Sequence, residues 1–100
     1  MSKRYRLTHR AQIELTEILE FIAQRSPHNA ARVGEEFQAA MQQLGQMPGM
    51  GHRREDVTDL PVRFWSVHSY LIVYRDDCRP IDIVHIVHGA RNLKAILKEP

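Results

Sequence analysis

The sequence predicts an α+β fold of the order βααβββ, in which a helical hairpin packs on an antiparallel sheet and a short helical turn ends the chain. The first half repeats apolar residues at the three- and four-residue steps of amphipathic helices. The second half contains runs of β-branched and aromatic residues, as strands do. Because helices and sheet each present an apolar face, we expect the hairpin to lie across the sheet.

The N-terminal half is predicted to be one short strand followed by two helices. Residues 5–8 alternate weakly, and residues 9–25 follow with helical periodicity and Thr8 as a favourable N-cap. The Ser26-Pro27 pair ends this helix and starts the next, since proline disfavours helical geometry before it but suits the first helical position. The second helix should span residues 27–47, where Gly34 would allow the helices to approach closely.

The C-terminal half is predicted to be a meander of three strands, at residues 62–67, 70–75 and 81–88. The connections of two and five residues are too short for anything but antiparallel neighbours. The third strand is apolar on both faces and should lie inside the sheet. Residues 92–98 should form the final helical turn.

Length and composition limit the class of protein. The chain has 100 residues, 43% of them hydrophobic, so we expect residues 1–100 to form a single domain. The longest apolar run, at residues 70–74, is far shorter than the roughly 20 residues that cross a membrane. A signal-peptide pattern is absent, and Cys78 is the single cysteine. We therefore expect a cytoplasmic protein that has no membrane partner and needs no disulfide.

Arginine dominates the basic residues. The chain contains eleven arginines and three lysines, and its net charge is +2. Since the planar guanidinium group binds carboxylates and phosphates well, this excess favours an acidic partner or nucleic acid. A compositional bias of the genome would produce the same excess, so both explanations stay open.

Four segments, taken in order, carry a family likeness that spans nearly the whole chain. They are residues 5–8 with the acidic-spaced helix that follows, the loop 47–51, the strand 70–75, and the ending 86–93. In this order and spacing they resemble the RelE/ParE superfamily of bacterial toxins, and the ParE branch more than the RelE branch.

This resemblance implies a toxin of a type II toxin-antitoxin module, held inactive in a hetero-oligomer by a ParD-like antitoxin. ParE-type members act on DNA gyrase and block replication, whereas RelE-type members cut messenger RNA on the ribosome. A third possibility is a toxin that no longer acts. Grooves at the margins of hairpin and sheet would be covered by an amphipathic antitoxin segment, which we expect to be acidic.

Five basic residues are candidates for contacts with the target or the antitoxin. They are Arg53, Arg63, Arg75, His88 and Arg91. Each also has a structural interpretation. Arg63 could pair with Asp59 or a helix carboxylate, and Arg75 with a neighbouring aspartate. The nearby aspartates are Asp76, Asp77 and Asp82. Arg53 would be solvated in its loop, Arg91 would be a solvated charge, and His88 would organise the turn at Gly89.

The residues favour binding over catalysis, with RNA cleavage of the RelE type as the alternative. Cleavage of RNA needs an acid, a base and several cations around one phosphate, yet the lysines lie outside the meander. His85 and His88 are three residues apart and should point to opposite faces of a strand. His85 is expected to be half-buried, in phase with Ile81 and Ile83, and hydrogen-bonded in the sheet. The six histidines lack metal-ligand spacing, so we predict no catalytic residue, no metal and no cofactor.

Overall fold

The computed structural model describes residues 4–98 and has the predicted α+β architecture. Its elements are β1 (Tyr5–Leu7), α1 (His9–Arg25), α2 (Pro27–Gln46), β2 (Val62–Val67), β3 (Tyr70–Arg75), β4 (Ile81–His88) and α3 (Leu93–Lys98). The predicted C-terminal turn is thus α3. Between residues 4 and 98, no helix is both long enough and apolar enough to cross a membrane.

The sheet has the strand order β1-β4-β3-β2. Strands β2, β3 and β4 form the predicted antiparallel meander, and β4 lies inside the sheet as expected. Strand β1, however, pairs in parallel with β4, with Tyr5 opposite Ile81. The sheet is therefore mixed rather than wholly antiparallel. Local sequence patterns could not predict this pairing. Parallel neighbours need a long connection, and here the connection is the whole segment between β1 and β4.

The helix boundaries follow from their caps. The Thr8 hydroxyl accepts a hydrogen bond from the backbone N–H of Ala11 at 3.2 Å, and the Ser26 hydroxyl accepts one from Asn29 at 3.1 Å. Pro27 occupies the start of α2, where a backbone N–H would have no partner within the helix, so proline costs no hydrogen bond there. Both predicted caps are confirmed.

Apolar side chains cover both faces of the sheet. The α1–α2 hairpin packs on one face, where Phe37 and Tyr74 are fully buried. The other face is covered by α3, through Leu93 and Ile96, and by the segment 57–61. The sheet is thus the middle of three layers, and each face can carry its own binding surface.

Gly34 is not where the chain backbone comes closest. A Cβ atom at Gly34 would lie 3.6 Å from the Leu19 side chain, an ordinary contact, so the packing of the two helices does not depend on glycine there. Gly45 is the tight position, since a Cβ atom there would lie 2.7 Å from the Cβ and 2.8 Å from the carbonyl oxygen of Arg4. The end of α2 therefore touches the chain just before β1.

A β-bulge interrupts β4. Val73 pairs with His85 while Tyr74 pairs with Ile83, so one residue of β4 has no partner on β3. Ile83 and Ile86, three residues apart, consequently both join the core beneath the hairpin. The predicted phase of His85 with Ile83 is therefore broken.

Candidate functional site

The five predicted site residues lie at two ends of the sheet. Arg53, Arg63 and Arg75 lie where β2 begins and β3 ends, whereas His88 and Arg91 lie at the other end of β3. The two ends of β3, Tyr70 and Arg75, are five residue steps apart, which is roughly 17 Å. The structure therefore brings together no single cluster of all five.

Asp76 binds two of the arginines. The Arg63 Nε donates to Asp76 Oδ2 at 2.6 Å, and Arg53 Nη2 donates to both Asp76 carboxylate oxygens at 3.0 and 3.2 Å. Arg63 Nη1 also donates to the Gly51 carbonyl at 2.9 Å. The expected partners of Arg63, Asp59 or a helix carboxylate, were wrong. The β2–β3 register instead sets Arg63 beside the chain that leaves β3.

The loop that precedes β2 is attached to the sheet by these contacts and by a backbone bridge. The N–H of His52 donates to the Phe64 carbonyl at 2.9 Å, and the N–H of Phe64 donates to the His52 carbonyl at 2.8 Å. Arg53 thus attaches the loop to Asp76, although its side chain remains 44% exposed, as expected for a solvated loop residue. Its guanidinium is already bound to a carboxylate.

Arg75 makes the expected pairing with a neighbouring aspartate. Its Nε and Nη2 donate to the two carboxylate oxygens of Asp77 at 3.1 and 2.8 Å. This hydrogen-bonded pair raises the pKa of Arg75 and lowers the pKa of Asp77. Because both groups are exposed, we assign the pair little stability.

Replacing Asp76 with alanine should loosen the loop without unfolding the protein. Arg63 and Arg53 would lose their shared carboxylate, and we expect a loss of about 1 kcal/mol because both guanidinium groups keep some access to water. Urea unfolding measures that loss, and amide exchange at His52 and Phe64 should accelerate. Asp56→Ala is the matched control, since within residues 4–98 the side chain of Asp56 pairs only with the exposed Arg54, at 3.5 Å. Equal effects of the two changes would contradict the role given to Asp76.

A groove runs between α1 and the C-terminal half of β4, with a volume of about 300 Å³. Strand β1 ends at Leu7, opposite Ile83, so the remaining outer edge of β4 has no neighbouring strand. Helix α1 passes that edge and forms the other wall. We call this feature the α1–β4 groove, and it is lined by Glu14, Glu17, Ile18, Phe21, Tyr70, Ile86, Val87, His88 and Arg91.

The walls of the α1–β4 groove combine an exposed apolar surface with charges of both signs. Phe21 is 59% exposed, which is high for a large apolar side chain. Glu17 stands on the α1 wall, and His88 and Arg91 stand on the β4 wall. The side chain of Arg91 forms no ion pair with any residue in the range 4–98. Of the five predicted site residues, His88 and Arg91 are the two that the fold brings together in this groove.

His88 has the turn role considered for it and also lies in the wall of the α1–β4 groove. Its Nδ1 accepts a hydrogen bond from the backbone N–H of Ala90 at 3.1 Å, so the residue organises the turn. Its ring also packs edge-on against Tyr70, with centroids 5.6 Å apart, and forms part of the groove wall. Because Nδ1 accepts, the neutral ring carries its proton on Nε2. The turn thus fixes the orientation in which the ring meets a partner.

Glu14 is a residue of this region that sequence reasoning missed. Its carboxylate accepts a hydrogen bond from the backbone N–H of Ile86 at 3.1 Å and lies 3.2 Å from His85 Nδ1. It therefore caps one donor on the open edge of β4. The available signal was spacing, because Glu14 lies three residues after Ala11 and four before Ile18, on the apolar side of α1.

His85 is half-buried and hydrogen-bonded, as predicted, although its partner is the helix carboxylate of Glu14 rather than a group of the sheet. Among residues 4–98, no three histidine, cysteine, aspartate or glutamate side chains are grouped so that they could hold a metal ion. An apolar groove with one unpaired guanidinium and one oriented imidazole is suited to holding a peptide segment.

The comparisons with known proteins agree with each other. A family model described as the ParE toxin of the type II toxin-antitoxin system parDE matches residues 5–93. Toxin ParE1 of Caulobacter vibrioides is 31% identical over 96 residues, which covers 95% of this chain and 98% of that protein. The fold also resembles a solved structure of the chromosomal ParDE system from P. aeruginosa, with a TM-score of 0.67 at 19% identity, over 84% of this chain and 92% of the other.

Proposed function

Because the chain belongs to the ParE toxin family of type II toxin-antitoxin systems, we propose that it arrests growth by binding and inhibiting DNA gyrase. In this proposal a ParD-like antitoxin neutralises it by forming a hetero-oligomer in the cytoplasm. The toxin grips its target and breaks no bond in it. The antitoxin acts by covering the surface that the target needs.

The main support for binding rather than RNA cleavage is the pairing of the sheet arginines. Arg53 and Arg63 are bound to Asp76, and Arg75 is bound to Asp77. A phosphate at these positions would have to displace a carboxylate from charge-assisted hydrogen bonds. His85, the partly buried histidine of β4, is held by Glu14 in the same way.

The α1–β4 groove is the surface with which we propose that the protein contacts its target, gyrase. It offers the exposed Phe21 for apolar contact and Arg91 for a carboxylate on the other protein. Exposed aromatic and arginine side chains of this kind supply much of the binding energy at protein interfaces. His88, held by the Ala90 N–H, would add an oriented hydrogen-bond donor.

Supercoiling by purified gyrase tests the proposal. We expect the added protein to inhibit supercoiling, and Arg91→Glu to weaken inhibition by about tenfold, because a charge that meets the partner is reversed. Arg32→Glu is the matched control, since Arg32 lies on α2, outside the α1–β4 groove, and is 61% exposed. Thermal melts of both variants establish that they fold.

Three other outcomes would replace the proposal. Undiminished supercoiling together with arrested growth would reject gyrase as the target. Codon-positioned cuts in translated message that disappear with Arg63→Ala would instead establish the RelE-like ribonuclease. Unimpaired growth during expression without antitoxin would identify a toxin that no longer acts.

A further inference from the structure

The face of the sheet opposite the hairpin is only partly covered. Two grooves flank α3, one of about 390 Å³ beside the segment 57–61 and one of about 260 Å³ beside the ends of β2 and β3. Leu60, Pro61 and Leu97 line both grooves, so the two are continuous. We call this feature the α3 trough.

The floor of the α3 trough is apolar and open to a partner. Leu60 is 48% exposed although it is a large apolar residue. Val84 of β4 and Val57 are only partly buried where they pack on the core of this face. A continuous apolar surface of this kind is typical of a site that another chain covers.

The charges that line the α3 trough are mostly positive. Lys94 and Lys98 lie four residues apart on α3 and line the larger groove. Arg75 lines the smaller one, but its charge is already paired with Asp77, so the two lysines supply the available positive charge. Asp59 is the only carboxylate residue that lines either groove within residues 4–98. No ion pair joins Lys94 or Lys98 to another residue of that range. The trough therefore matches an acidic segment.

The α1–β4 groove differs in this respect. It presents Glu14 and Glu17 against His88 and Arg91, so its charges nearly balance. An acidic segment would meet repulsion from Glu17 there, whereas in the α3 trough it would meet Lys94 and Lys98. Complementary charge thus distinguishes the two surfaces.

We propose that the α3 trough binds an acidic amphipathic segment of the antitoxin. Apolar side chains of that segment enter the two grooves on either side of Leu97, and its carboxylates face Lys94 and Lys98. The inference rests on the proposed function, which supplies the antitoxin, and it adds the place and the chemistry of one contact. The antitoxin would then bind on the face of the sheet opposite the hairpin.

The two surfaces are close enough for one partner to use both. His85 lines the α3 trough and His88 lines the α1–β4 groove, and three strand residues span roughly 10 Å. An antitoxin chain anchored in the trough would therefore have a high effective concentration at the groove. Binding at the trough then strengthens the exclusion of the target from the groove.

The test uses, as the candidate antitoxin, the purified product of the reading frame beside the gene for this chain. We expect the double variant Lys94→Glu, Lys98→Glu to weaken antitoxin binding by about tenfold or more, and to make the remaining binding less sensitive to salt. Leu60→Gln should weaken binding independently of salt, because it removes apolar contact alone. Lys94→Arg, Lys98→Arg keeps the charge and should bind as the unaltered protein does.

Arg32→Glu is the control for a charge change elsewhere, and thermal melts establish that each variant folds. If the unaltered protein binds antitoxin and the Lys94→Glu, Lys98→Glu variant binds it equally well, the trough proposal is overturned while the proposed function survives. If the unaltered protein binds no antitoxin, the proposed neutralisation itself fails. Equal salt sensitivity of the charge-reversed and unaltered proteins would also overturn the charge argument.

Discussion

Gly45→Ala should destabilise the protein by about 2 kcal/mol. The added Cβ would lie 2.7 Å from the Arg4 Cβ and 2.8 Å from the Arg4 carbonyl oxygen, and backbone atoms cannot rotate away as a side-chain end can. Overpacking of this kind costs up to about 3 kcal/mol, and the better helix propensity of alanine returns about 1 kcal/mol. Urea unfolding monitored by circular dichroism gives the free energy of unfolding directly.

Gly34→Ala supplies the matched control on the same helix. Its added Cβ would meet only the Leu19 side chain, at 3.6 and 3.8 Å. Only the better helix propensity of alanine then acts, and we expect the free energy of unfolding to rise by about 0.5 to 1 kcal/mol. The two substitutions are chemically identical, so opposite signs would locate the effect in the contact with Arg4. A stabilising Gly45→Ala would show that α2 and the chain before β1 do not approach closely.

Tyr74→Phe should lower the free energy of unfolding by about 2 kcal/mol, the second large effect that we expect. The Tyr74 hydroxyl donates to the Pro48 carbonyl at 2.7 Å and accepts from the Gly51 N–H at 2.9 Å, while its ring is fully buried. Phenylalanine fills nearly the same volume but leaves both backbone groups without this partner. Tyr70→Phe is the control, because the Tyr70 hydroxyl forms no hydrogen bond with any residue in the range 4–98.

The same hydroxyl makes the stability difference depend on pH. Burial raises the pKa of Tyr74 above its ordinary value of 10.0. The folded protein therefore holds this proton more tightly than the unfolded chain, so the stabilisation is complete below pH 10 and declines as pH rises through the raised pKa. Unfolding free energies of the unaltered protein and Tyr74→Phe should converge above pH 10. A constant difference up to strongly alkaline pH would contradict this role of the hydroxyl.

Local patterns in the sequence predicted the elements well because each depends on neighbouring residues. The caps at Thr8 and Ser26 need only a hydroxyl and the first turn that follows. The two-residue turn between β2 and β3 likewise follows from its length, and His68 takes the left-handed backbone conformation there, with φ 55°. These features could be read without knowing what the rest of the chain does.

Contacts between distant residues could not be read in that way. The partner of Arg63 is decided by the β2–β3 register and by the course of the chain after β3, which place Asp76 beside it. The bulge at Val84 changes which side chains of β4 share a face of the sheet. No glycine or proline near Val84 indicates it in the sequence. Glu14 reaches the open edge of β4 only because β1 stops at Leu7.

The parallel pairing of β1 with β4 bears on how the chain is made. Arg6 and Asp82, which pair across these strands, are 76 residues apart, so the first strand is synthesised long before its neighbour. During translation β1 has no strand to pair with until β4 has left the ribosome, and this contact of long sequence separation forms slowly. During synthesis the segment of β1 therefore stays without its neighbouring strand for a time, and the sheet can be completed only after β4 has been made.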